Sequence, residues 1–171
     1  IPFTLAQDKT SSTFGKGIRI AAKDSSFTMK FSTRIQTLYD GRLNLETNDY
    51  NDRFMTRRAR LKFDGFAYSP KLVYKIELAV ASSDIAGGDS NEFGNTSRII
   101  LDAVLKWNFA PNWELWFGQT KLPGNRERVI SSQNLQFVDR SNVNARFNID
   151  RDAGIQLHYG KNKFNFVSSV S

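Results

Sequence analysis

The chain has 171 residues, no Cys and one His, which excludes disulfide scaffolds, Cys/His zinc sites and thiol nucleophiles. Lys and Arg exceed Asp and Glu by 24 to 17, and the resulting +7 favours anionic partners: nucleic acid, acidic lipid or small anions in transit. Mean hydropathy is −0.45, and no apolar run approaches the ~18 residues of a transmembrane helix, whereas transmembrane strands alternate and average to a polar composition.

Ile1-Pro2-Phe3-Thr4-Leu5-Ala6 is apolar, ends in a small residue and is followed abruptly by polar residues from Gln7. Residues 1–6 read as the remnant of a secretory signal, with an ordinary frayed N-terminus as the alternative. Gly17 to Ala22 forms a short strand candidate. From Phe27, alternation sets Phe27, Met29, Phe31, Ile35 and Tyr39 on one face against Lys30, Arg34 and Gln36 on the other. From Arg58, Ala59, Leu61, Phe63 and Ala67 oppose Arg58, Arg60, Lys62 and Asp64. Leu72, Tyr74, Ile76, Leu78 and Val80 then oppose Lys75 and Glu77. Ile99, Leu101, Ala103, Leu105, Trp107 and Phe109 oppose Asp102, Lys106 and Asn108. Two more runs follow, Trp113-Leu115-Phe117 against Glu114 and Ala153-Ile155-Leu157-Tyr159 against Gln156 and His158, and a last run spans Lys163 to Val170.

The connections are alternately long and short. Asp40 to Arg53, Ser82 to Thr96 and Lys121 to Arg151 are long and polar; Tyr68 to Lys71, Ala110 to Asn112 and Gly160 to Asn162 are tight. That rhythm belongs to an antiparallel transmembrane β-barrel, with long loops on the outer side and short turns on the periplasmic side. A soluble sandwich also alternates but gives no reason for the rhythm. Aromatics near strand ends (Phe27, Tyr39, Phe66, Tyr68, Trp107, Phe109, Trp113, Tyr159) fit interfacial girdles, with core packing as the alternative. Seven long strands, or eight with the short one, leave little interior for a loop of about 30 residues in a closed eight-stranded barrel. Residues 7–171 therefore read as the N-terminal part of a wider all-β barrel, incomplete at the C-terminus.

Most of the surplus charge lies in the first 66 residues, densest from Arg53 to Lys62. On a lipid face near the midplane each such cation costs ~2–4 kcal/mol, so alternation assigns Arg58, Arg60, Lys62, Lys30 and Arg34 to the wet face. Such ladders select anions, and Arg offers a planar fork to phosphate or carboxylate. The alternative is a charge-balanced face, with Asp64, Glu77, Asp102 and Glu114 as cross-strand partners. The 121–151 stretch reads as an inward loop charged by Arg126, Glu127, Arg128, Asp139, Arg140 and Arg146, with an exposed outer loop as the alternative. Gly124 to Ser131 suits a short helix.

Arg57-Arg58-Ala59-Arg60-Leu61-Lys62-Phe63-Asp64-Gly65 resembles the basic strand motif of the phosphate-selective porin O/P family. Asp102-Ala103-Val104-Leu105-Lys106-Trp107 and Phe117-Gly118-Gln119-Thr120-Lys121-Leu122-Pro123 are similar to that family's next block, and Asn125 to Arg140 to its Bacteroidetes-type members. The resemblance implies a sixteen-stranded homotrimeric bacterial outer-membrane porin passing small anions. It implies paired constriction arginines at Arg57 and Arg58, a ladder at Arg60 and Lys62, and a constriction acid at Asp102, while alternation adds Lys75 and Lys106 to the polar face as pore-lining candidates. Strict alternation turns Arg57 outward, so its role requires a bend or a bulge.

No phosphate-binding loop, dinucleotide fingerprint or nucleophile elbow occurs, so no cofactor, metal or catalytic group is expected. A soluble basic β-domain binding nucleic acid or another polyanion is the alternative function. It needs aromatics and cations on one face, and here they oppose one another.

Overall fold

The computed structural model describes residues 15–82, 84–85, 99–124, 126–137, 139–147 and 149–171. The expected signal remnant and most of the 82–96 connection lie outside them. Eight strands form one antiparallel sheet: β1 (Ile18–Ala21), β2 (Phe27–Asn44), β3 (Asp49–Ala67), β4 (Leu72–Ala79), β5 (Ile100–Ala110), β6 (Trp113–Lys121), β7 (Arg151–Lys161) and β8 (Phe164–Val170). Their order in space is their order in sequence, with β1 and β8 at the edges, so the described sheet is an open meander. Between β6 and β7 lie two short helices, α1 (Arg126–Val129), within the stretch expected to be helical, and α2 (Asn142–Arg146).

Register follows from the period-two pattern, because a one-residue slip would exchange the two faces. One row of partners runs Phe31, Phe63, Ile76, Ala103; the adjacent row runs Lys30, Asp64, Lys75. Burial is inverted relative to a soluble domain. Ile35 and Phe54 are each 74% exposed, and Leu105, Trp107, Phe117 and Ile155 are exposed as well. Arg58, Asp102, Arg151 and Gln156 are buried, while the buried apolar residues are Ala79, Ala81, Leu101 and Val104. Water-facing proteins rarely leave so large an apolar face uncovered.

At the short-turn end, a chain of ring contacts runs Trp107–Phe109–Trp113–Tyr159–Phe164, with centroids 5.7, 6.5, 4.6 and 6.2 Å apart. Rings amphipathic enough to sit between hydrocarbon and headgroups collect at such a boundary. Asn112 and Asn162 hold the left-handed backbone of the two turns beneath it. Gly65 is dictated by close approach: a Cβ there would lie 1.9 Å from the Thr28 carbonyl oxygen. Its cross-strand partner Tyr74 fills the space, donating a 3.0 Å hydrogen bond to that oxygen and stacking on Phe27.

The polar stretch from Asp40 to Arg53 is not the loop that its composition suggests. Both strands continue through it and turn only at 45–48. Its polar residues pair across the hairpin instead: Asp40 bridges Arg42 and Arg53 at 2.9 and 3.0 Å, and the Tyr39 and Tyr50 hydroxyls meet at 2.6 Å. The β3–β4 ladder stops at Arg60↔Ala79, so beyond it the β2–β3 ribbon pairs with no third strand among the described residues.

Candidate pore-lining site

The polar face is organised around a bulge. Gln36 pairs with Arg58 and Thr37 with Thr56, which leaves Arg57 as the extra residue of β3. The bulge frees Arg57 from alternation and aims it, with Arg58, at one carboxylate. Arg57 meets Asp139 at 2.7 Å and Arg58 meets it at 2.9 Å. Asp139 belongs to the segment between β6 and β7, which lies over the polar face. A second join is made by Ser132, which accepts from Arg34 at 2.7 Å and from Arg60 at 3.4 Å.

Beneath that segment runs a continuous ion-pair network. Asp84 accepts from Arg60 at 2.5 Å and lies 3.9 Å from Arg58; Arg60 also pairs with Glu77 at 2.8 Å. Glu77 pairs with Lys75 at 3.1 Å, and Lys75 with Asp102. Arg151 closes on Asp102 at 2.9 Å, and Asp150 joins Arg151 to Arg128. Asp102 is 1% exposed. A carboxylate so placed stays charged only with partners of this kind. The charge-balanced alternative thus describes Arg60 and Lys75, and also Lys62, which meets Asp64 at 3.1 Å.

Four other cations of this region form no ion pair with a described carboxylate. Arg34 donates to Ser132, and Lys106 sits 3.6 Å over the Trp116 ring. Lys121 reaches the Val129 and Ile130 carbonyls, and Arg140 those of Glu127 and Ile130, so two cations converge on the Ile130 oxygen. Burial, with repulsion from Arg128, Arg58, Arg151 and Arg60, pushes the Arg140 guanidinium down to about 10. Burial acts to raise the Asp139 carboxyl, but hydrogen bonds and charge from Arg57 and Arg58 outweigh it and hold it below the usual range.

Lys30 stands opposite Asp64 in register, on the same face. Arg126 is exposed at the start of α1 and makes none of these contacts. Sequence reasoning missed Asp84, Ser132, Arg151 and Trp116. Asp84 and Ser132 sit in polar connections with no periodic signal. Arg151 is two residues before Ala153, where alternation assigns the apolar face, yet it curls from the strand end to Asp102. Trp116 faces the charges, stacked on His158 at 3.9 Å, and so lies between that ring and Lys106.

The family model for phosphate-selective porin O and P matches residues 29–171, from the third residue of β2 through all of β8. The chain belongs to this family. No curated protein matches the chain. Barrels of an outer membrane turn an apolar face with aromatic bands to lipid, and this sheet has one face of that kind. The family is one of channels rather than enzymes, and the eight-stranded antiparallel sheet is porin wall.

Proposed function

We propose that this porin is a passive, anion-preferring diffusion channel whose selectivity resides in the cations that carboxylates do not neutralise. The observation that carries the reading is the set Arg34, Lys106, Lys121 and Arg140, each held by neutral groups on the inner face. Arg58, Arg60, Lys62 and Lys75 shape the wall in paired form, with Asp102 as the anchor of the network. Arg57 and Arg58 hold the inward segment by Asp139, and Arg128 and Arg140 brace that segment from within. Lys30 and Arg126 add to the positive field of the path. Phosphate or polyphosphate suits guanidinium forks, which bind tetrahedral oxyanions through paired donors. A sixteen-stranded, trimeric barrel is what the family resemblance implies for this wall.

The test is the reversal potential of the full-length protein in a planar bilayer under a salt gradient. An anion-selective potential is expected, moved toward the cation side by Arg34→Gln combined with Arg140→Gln. A cation-selective wild-type channel would overturn the anion preference.

A further inference from the structure

The β2–β3 ribbon and the inward segment enclose a cleft of ≈ 440 Å³, lined by Leu38, Tyr39, Asp40, Arg42, Arg53, Met55, Arg57 and Asp139. This is within the ~300–1,000 Å³ usual for small-ligand sites. It lies beyond the bulge, farther from the short turns than the ion-pair network. Two features meet there. Leu38 and Met55 are direct cross-strand partners, both half-buried, and they put an apolar floor beside the arginines. Above that floor, Arg42 and Arg53 both direct Nε and Nη2 at a single carboxylate, Asp40. A guanidinium carries five N–H donors, so one carboxylate leaves donors on both arginines and one positive charge uncompensated.

A bare phosphate gains nothing from the floor, and an uncharged apolar solute gains nothing from the arginines. A small organic acid with a short hydrocarbon tail uses both: its head accepts from Arg42 and Arg53 while its tail covers Leu38 and Met55. We propose that this cleft is a binding site for organic carboxylates with a short apolar tail. The inference rests on the anion-preferring reading of the channel and names a solute class for it.

The measurement is block of chloride current through the full-length protein in a planar bilayer, with acetate, butyrate and hexanoate added in turn. Apparent affinity is expected to rise about two- to fourfold per methylene, the amount that partial to full burial of a CH₂ supplies. Met55→Ser should flatten this dependence, Met55→Leu should retain it, and Arg53→Gln should weaken the whole series. Equal block by acetate and hexanoate overturns the site, as does a chain-length dependence that survives Met55→Ser or disappears in Met55→Leu. A channel with no anion selectivity fails the reading of the pore; selectivity without chain-length dependence fails the cleft alone.

Discussion

Asp139 carries one of the joins between the wall and the segment laid over it, and its chemistry makes that join sensitive to acid. Arg57 and Arg58 depress its carboxyl, so the interaction is complete above the free-acid value of 3.8 and is lost as pH falls through the lower folded value. Single-channel noise is expected to stay level from neutral pH down to about 4 and to rise only below it. Asp139→Asn should show that noise at neutral pH. Asp102 poses a different case. It is almost fully buried between Lys75 and Arg151, and removing its charge takes the nearest carboxylate from both, leaving Lys75 to Glu77 and buried Arg151 to Asp150 at 3.7 Å. Asp102→Asn is expected to destabilise the folded porin by about 3–5 kcal/mol, the usual cost of orphaning a buried charge. Urea unfolding in lipid vesicles, compared with wild type, measures it; an unchanged midpoint would show that the network relaxes.

Among the elements, β3 depends most on a single backbone irregularity. Above the bulge, Arg53 and Met55 share the inner face with Arg58, Arg60 and Lys62 below it, although the two groups differ in parity. Deleting Arg57 would leave Thr56 opposite Thr37 and Arg58 opposite Gln36 in a regular ladder, with both groups still on one face, and would remove one of the two guanidinium groups at Asp139. Deletion of Arg57 and Arg57→Ala are therefore both expected to retain the heat-modifiable folded band on a gel. Loss of the band on deletion alone would show that the bulge itself, and not only the side chain, is needed. The basic motif from Arg57 to Lys62 was legible in sequence as a cluster, and the need for a bulge followed from its odd member. What that cluster pairs with was not legible: Arg34 meets Ser132 across 98 positions and Arg57 meets Asp139 across 82.

The whole molecule is a wall with two solvents, and the same substitution has opposite consequences on its two faces. Ile76 lies mid-strand in β4 on the exposed apolar face. Ile76→Arg is expected to cost ~2–4 kcal/mol at the bilayer midplane, measured by urea unfolding in vesicles. Ser32→Arg, on the same face as Arg34 and two positions from it, should leave stability nearly unchanged and alter ion selectivity instead. If both substitutions were tolerated equally, the apolar face would not be in hydrocarbon.

Alternation is a local property, with period two fixed by strand geometry. The sequence by itself therefore determined which side chains share a face, the antiparallel meander with its tight turns, and the barrel class. Composition misled at 40–53, because this ribbon is as polar as a loop. Only the tertiary structure decided which cations are neutralised. Arg60 and Lys75 look like Arg34 and Lys106 in sequence, but cross-strand register and the placement of distant loop residues put Glu77, Asp84 and Asp102 beside the first pair. The second pair receives a hydroxyl and a ring. Coulomb attraction depends on distance, and distances between strands and loops far apart in the chain exist only once the sheet is paired and the segment between β6 and β7 is laid against it.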